Sequence, residues 1–428
     1  MPTYLSPGVY VEEVPPAASP IAGTGTSTAG FIGIISSSTI QVPADRIIKK
    51  EAPPTPADAP AQDVPYLIVQ PVTLPASGEV NLFTNWTAFS KQFGGLLGDK
   101  TVSGLIDVKP SDFNADPLNE WRPLAHAVYG FFLNGGTRCY VVRIDNIASI
   151  QTALAKLAEI DEITIVAIPG NTTETVQEAV LDHCESLKDR VAVLDGQDVG
   201  TPFTKARIQD KTKDSTFGAI YFPWIKVSDP SKQLIEPDSD GSLVMPPSGH
   251  IGGVYARVDS ERGVFKAPAN EGIRGALDVE YRLTQSDQGE LNKTGVNVIR
   301  SFNGNVKIWG ARTMGGDANG EFKYISTRRL FNFLRESIDE GTQFAVFEPN
   351  SPALWQRIKR NVGDFLLGQW RDGALFGDTP DKAFFVKCDA ETNPPDVRER
   401  GQVITQIGVA IVKPAEFVIF RIQQTAGS

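Results

Sequence analysis

"ASIQTALAKLAEIDEITIVAIPGNTTETVQEAVLDHCESLKDRVAVLDG", Ala148–Gly196, sets the architecture of this chain. It reads as helix "ASIQTALAKLAEI", strand "ITIVAIPG", helix "TTETVQEAVLDHCESLKD" and strand "RVAVLDG", with a further strand, "AIYFPWIKV", at 219–227. Strands alternating with helices predict an α/β layer on a partly parallel sheet.

Upstream, "PLAHAVYGFFLNGGTRCYVV", Pro123–Val142, predicts a helix that stops at Asn134-Gly135-Gly136, then a buried strand; Gly135 is the natural stop. "TAGFIGIISS" from Thr28 suits another buried strand. Between them, "VPADRIIKKEAPPTPADAPAQDVP", 42–65, carries five prolines within 53–65 and reads as a surface loop or insertion. Downstream, "MPPSGHIGGVYARVDSERGVFKAPAN", 245–270, reads as turn-rich with one helical segment. Two amphipathic helices follow, "YISTRRLFNFLRESIDE" and "SPALWQRIKRNVGDFLLGQW". In the second, Ser351 is a good N-cap, Pro352 takes the first helical position, and Leu354, Ile358, Val362, Phe365 and Leu366 share a face. "GQVITQIGVAIVKPAEFVIFRIQQ" predicts two long strands about a Lys413-Pro414 turn.

The opening stretch "TYLSPGVYVEEVPP", 3–16, is a strand without a nearby mate, because the small residues of "AASPIAGTGTSTAG" cannot cover it. Unpaired apolar strands are normally blunted, and this one is not. Its mate lies far along the chain or on another chain.

At 428 residues, two or three domains are expected. A net charge of −10 argues against a general nucleic-acid binder. Cys139, Cys184 and Cys388 lie far apart, as free core thiols of a reducing compartment do. With no basic-then-apolar leader and no run near the ~20 apolar residues needed to span a bilayer, the expectation is a protein made in a cytoplasm.

Chemistry-bearing motifs are weak. "GGLLGDKT", Gly94–Thr101, places Asp99 where a phosphate loop needs its second glycine. "GTGTST", Gly23–Thr28, lacks the third glycine of a dinucleotide fingerprint and precedes a strand. "DSDGS", Asp238–Ser242, lacks the closing Glu of a calcium loop. Of the three histidines, His126 fits a helix face, His183 sits mid-helix, and His250 reads as a turn histidine bonded to backbone. No catalytic residue, cofactor site or metal set is assigned, and none is expected.

Seven stretches in order resemble the contractile tail sheath family of contractile phages, R-type tailocins and extracellular contractile injection systems. They are "SPGVYVEEV" with "TAGFIG", "FFLNGGTRCYVVR", "PPSGHIGGVYARVDSERGVFKAPAN", "YISTRRLFNFLRESI", "FEPNSPALWQRI" and "KPAEFVIFRI". Residues 43–122 and 195–245 show no firm match. The resemblance implies an α+β and α/β multidomain fold, with an inner α+β domain built from both termini and an α/β middle domain carrying an outer insertion. Residues 1–20 are the exchange strand and linker, 21–42 and 123–310 the middle domain, 43–122 the outer insertion, and 311–428 the inner C-terminal domain.

The family further implies a structural subunit that polymerises as a helical tube of stacked hexameric rings around an inner tube protein. It contracts from a metastable extended state to drive that tube through a cell envelope. Neighbouring copies exchange terminal strands by β-augmentation. At the N-terminus the residues are Val9, Tyr10, Val11, Glu12 and Val14. At the C-terminus they are Val403, Ile407 and Val409, then Phe417, Val418, Ile419 and Phe420. Arg357, Lys359 and Arg360 are the expected inner-tube contacts. Other partners are baseplate and cap or terminator proteins, with no nucleic acid and no membrane insertion. Assembly in a bacterial cytoplasm precedes a virion tail or a released extracellular particle. The alternative is a soluble α/β enzyme with a site near Pro169 and Asp195, at the carboxyl ends of the strands.

Overall fold

Runs that are apolar at every position, rather than at alternate ones, mark strands covered on both faces. The computed structural model describes residues 20–51, 61–196 and 213–419. Among these, nine strands hydrogen-bond into one sheet in the order Glu271–Gly272, Asn305–Ile308, Val296–Phe302, Gly218–Phe222, Val191–Asp195, Ile163–Ala167, Thr28–Ile34, Cys139–Ile144 and Val80–Phe83. The six from Val296–Phe302 to Cys139–Ile144 run parallel, Val80–Phe83 adds antiparallel at one end, and Asn305–Ile308 and then Glu271–Gly272 add by antiparallel pairing at the other.

Adjacent residues feed opposite cores. Phe31, Val141, Ile165, Val193 and Tyr221 pack with Trp121, Leu124 and Phe131 of the helix Asp116–Leu133 and with Ile251 and Val254 of the helix Ser248–Arg262. Ile32, Val142, Val166, Leu194 and Ile220 pack on the other face with the helices Ile150–Ala158 and Glu174–Leu187. The first of these helices stops where expected: Gly135 has φ 117° and the Gly136 N–H donates to the Phe131 carbonyl at 2.9 Å.

The chain divides into two units, Thr24–Arg335 with Val412–Ser428, and Met1–Gly23 with Glu336–Ile411. The larger contains the nine-stranded sheet. In the smaller, the helix Pro352–Arg371 buries Leu354, Ile358, Val362, Phe365 and Leu366, the foreseen face, together with Trp355 and Asn361. Ser351 has the extended backbone of an N-cap, but its side chain makes no capping bond. Ile21 packs against Gly341, where a Cβ would lie 2.5 Å from its side chain.

Four expectations are corrected. First, residues 43–122 do not stand apart as an outer insertion. Val80–Phe83 pairs with Cys139–Ile144, and Phe89 and Phe93 of the helix Trp86–Phe93 enter the main core. Much of the stretch read as a loop is strand: Thr39–Glu51 and Gln62–Thr73 pair antiparallel, because Ile40, Val42, Leu67 and Val69 find cover. Second, the inner domain does not begin at 311. Met314 donates to the Gly218 carbonyl at 2.9 Å, and the boundary falls at 335/336 within the helix Ile325–Thr342.

Third, no hairpin forms about Lys413-Pro414 among the described residues. Gln406–Val409 pairs instead with Phe384–Lys387, and Val412–Ile419 is not strand. Fourth, the one helical segment foreseen in 245–270 is present, but it begins at Ser248 and runs to Arg262, so His250 and its flanking glycines lie in the helix and not in a turn before it. Its glycines serve close approach: a Cβ on Gly249 would lie 2.2 Å from the Ala127 Cα, and one on Gly253 2.4 Å from the Phe131 carbonyl oxygen.

Candidate assembly surfaces

The carboxyl ends of the parallel strands are where an α/β enzyme holds its chemistry, and Asp195 stands there, fully buried. Its oxygens are already committed. One accepts from the Ser248 N–H at 2.8 Å, the other from the Gly170 N–H at 2.9 Å and the Ser248 hydroxyl at 2.8 Å. The carboxylate therefore ties a strand end to the start of the helix Ser248–Arg262.

Burial pushes the Asp195 carboxyl up to about 6, against those three donors. A folded-state value above the unfolded one means that its stabilising contribution is full below about pH 4 and lost as pH rises through about 6. Between pH 5 and 7, urea denaturation should show the native chain losing about 1 kcal/mol more than Asp195→Asn, whose side chain does not ionise. Parallel losses would refute this assignment.

The histidines are buried or half-buried on helices. His126 Nε2 lies 2.9 Å from Asp229, which caps the helix Pro230–Ile235 through the N–H groups of Ser231 and Lys232. Burial alone would raise the Asp229 pKa; His126 and Arg122 outweigh it and hold the group down to about 2. His250 is in the first helical turn, not a backbone-bonded turn, and its Nδ1 has no partner. Burial, then the neighbouring His126, pushes it down to about 3. His183 falls to about 4 through burial and then Arg190. All three cysteines are free and buried.

The near-phosphate loop follows the helix Trp86–Phe93 instead of preceding one, and Asp99 accepts from the Thr101 N–H at 2.8 Å and its hydroxyl at 2.7 Å. Asp240 makes the same local turn with Ser242. Among the described residues, no group of three His, Cys, Asp or Glu could hold a metal, and no helix is long and apolar enough to cross a membrane.

Uncovered apolar and basic surface is the feature that stands out. In the smaller unit, Phe384–Lys387 and Gln406–Val409 form a two-stranded ribbon, a size that is marginal alone. Phe385 on it is 57% exposed, and Ile407 is also exposed. Val409 is half-buried in the ribbon and Val403 half-buried in the loop before it. On the helix Pro352–Arg371, Lys359 and Arg360 are exposed, whereas Arg357 is engaged by Glu348 at 3.3 Å and lies 4.7 Å from the Phe344 ring centre. Val9, Tyr10, Val11, Glu12, Val14 and Phe420 lie outside the described residues.

In the larger unit, the segment from Val412 runs to Glu416, whose carboxylate meets Arg312, Tyr324 and Asn292. Phe417, Val418 and Ile419 follow it, 70%, 70% and 80% exposed. Sequence reasoning missed Glu416: it lies in the quoted "KPAEFVIFRI", but its partners are 92 to 124 residues away.

Comparison with known proteins bears on these surfaces. The phage tail sheath central domain model matches residues 147–314, including the 195–245 stretch where no resemblance was found, and the sheath C-terminal domain model matches 317–425. The tail sheath protein of Vibrio phage KVP40 is 27% identical over 186 residues, covering 42% of this chain and 26% of that protein. A putative prophage major tail sheath protein of Pseudomonas aeruginosa is 21% identical, covering 61% of this chain and 64% of that protein. The chain thus spans between about a quarter and two thirds of these relatives. The helical sheath of the anti-feeding prophage in its contracted state is 27% identical, with a TM-score of 0.68, covering 99% of this chain and 100% of that one. The contracted sheath of PVC, an extracellular contractile injection system, is 25% identical, with a TM-score of 0.69 over 99% of both chains. With both sheath domain models matched in order and whole-chain similarity to two contracted sheaths, this chain belongs to the contractile tail sheath family.

Proposed function

We propose that this chain is the structural subunit of a contractile sheath, polymerising as a helical tube around an inner tube and contracting to drive it through a target envelope. The observation that carries the reading is the whole-chain similarity to the contracted anti-feeding-prophage sheath. The energy is conformational: the extended tube is a trapped state, and contraction adds contacts between copies. Neighbouring copies are joined by terminal strands, as the marginal Phe384–Lys387 ribbon and the exposed Phe417–Ile419 run support. Head-to-tail contacts of this kind generate rings where the rotation closes and open helices where it does not, instead of two-fold dimers.

Lys359 and Arg360 are the basic side chains free to meet an inner tube, with Arg357 contributing only if Glu348 releases it. Similarity to a chain of the anti-feeding-prophage baseplate supports a baseplate neighbour at one end of the tube. Cap proteins close the other end, and assembly precedes release from a bacterial cytoplasm.

Negative-stain microscopy of the full-length chain beside one lacking residues 1–14 tests this reading. Striated tubes are expected from the full-length protein, and folded, discrete particles from the deletion. Discrete particles from both, with the inner-tube protein co-expressed, would overturn the sheath reading; normal tubes from both would overturn the N-terminal strand exchange alone.

A further inference from the structure

We propose that Glu416 is a fixed root for the segment that follows it, presenting Phe417, Val418 and Ile419 to a second copy of this chain in one orientation. The proposal rests on the sheath reading: docking of the segment belongs to that reading, and the root is what is added.

The clamp is fully occupied. Arg312 Nε donates to one Glu416 oxygen and Nη2 to the other, both at 2.9 Å, in the forked geometry that fixes direction as well as distance. Asn292 Nδ2 donates to the first oxygen at 2.8 Å, and the Tyr324 hydroxyl to the second at 2.8 Å. Each oxygen therefore accepts two donors. Three residues upstream, Lys413 pairs with Glu321 at 3.0 Å.

Arg312 is itself immobilised. It is 3% exposed, its N–H donates to Asn297 Oδ1 at 2.7 Å, its carbonyl accepts from Asn297 Nδ2 at 2.8 Å, and its Nη1 donates to the Asn292 carbonyl at 2.8 Å. The Glu416 carboxyl is held below the usual range: burial opposes this, but Arg312, Asn292 and Tyr324 outweigh it. It stays charged at neutral pH.

Immediately past the clamp the chain changes character. Phe417, Val418 and Ile419 are consecutive apolar residues exposed by 70–80%, with no buried alternate. Such a run requires cover, and the similar solved chain forms a helical sheath, so the cover is a second copy. A segment leaving a rigid clamp without slack meets its site at high effective concentration; added flexible residues dilute it.

Two variants separate the root from general stability. Glu416→Gln leaves an amide N–H₂ facing at least one Arg312 donor. Inserting Gly-Gly-Ser between Glu416 and Phe417 leaves the clamp intact and adds only slack. The readout is the protein concentration at which full-length chains begin to form pelletable tubes, with circular dichroism confirming the fold. Each variant is expected to raise that concentration about tenfold. If the full-length chain forms tubes and the insertion variant matches it, the root is overturned while the sheath reading stands, whatever Glu416→Gln does. If the full-length chain forms no tubes, the sheath reading falls and the root falls with it.

Discussion

Gly249→Ala is expected to destabilise the larger unit by at least about 3 kcal/mol, whereas Gly252→Ala, one turn further along the same helix, is expected to be neutral or to stabilise it by up to about 1 kcal/mol. The added methyl at 249 would lie 2.2 Å from the Ala127 Cα and 2.4 Å from its carbonyl oxygen. Those are backbone atoms of a packed helix and cannot swing aside. The two helices would have to separate by more than 1 Å along a contact that joins Phe131, Ile251 and Val254. At 252 the nearest atom is 3.6 Å away, an ordinary contact with the Phe131 ring, so the intrinsic preference of a helix for Ala over Gly dominates. Urea denaturation of both variants checks the pair. Equal effects would show that backbone approach does not govern this crossing.

Arg329→Met is expected to cost about 3–5 kcal/mol, because it strands a buried carboxylate. Arg329 Nη1 donates to Asp259 at 2.9 Å, and Nη2 donates to the other Asp259 oxygen and to the Thr26 carbonyl at 2.9 Å. The guanidinium also lies 4.6 Å from the Tyr255 ring centre. Arg329 and Asp259 are both almost wholly buried. Burial disfavours the Arg329 charge, but Asp259 outweighs it and raises the pKa. Adding Asp259→Asn to Arg329→Met should recover part of the loss by removing the stranded charge. A double variant no more stable than Arg329→Met would mean that lost packing, not the unpaired charge, sets the cost.

Local periodicity carried the reading where burial is two-sided and elements are short-range. Strands such as Ile163–Ala167 and Val191–Asp195 are apolar throughout, and the helices between them follow directly, so the layer was legible from Ala148 to Gly196. The same logic failed where a residue's reason lies on a distant segment. Gly249, Gly252 and Gly253 resemble a turn until the helix Asp116–Leu133 is seen pressed against two of them. Phe384–Lys387 is only four residues long, too short to announce itself, yet it takes the pairing expected for the end of the chain. The exposed surface residues divide likewise. Their apolar and basic types were readable, but the place of Glu416, just before the exposed Phe417, is defined by Arg312, 104 residues earlier.

The smaller unit is drawn from Met1–Gly23 and Glu336–Ile411, with Ile21 seated against Gly341. During synthesis its first segment must wait for more than three hundred residues to be translated before its packing partner exists. At about 5–20 residues per second, that interval lasts from about a quarter of a minute to a minute. A chain interrupted on the ribosome before residue 341 would carry Ile21 without the glycine it packs against. Packing of Ile21 in the smaller unit is thereby timed to the late stages of translation.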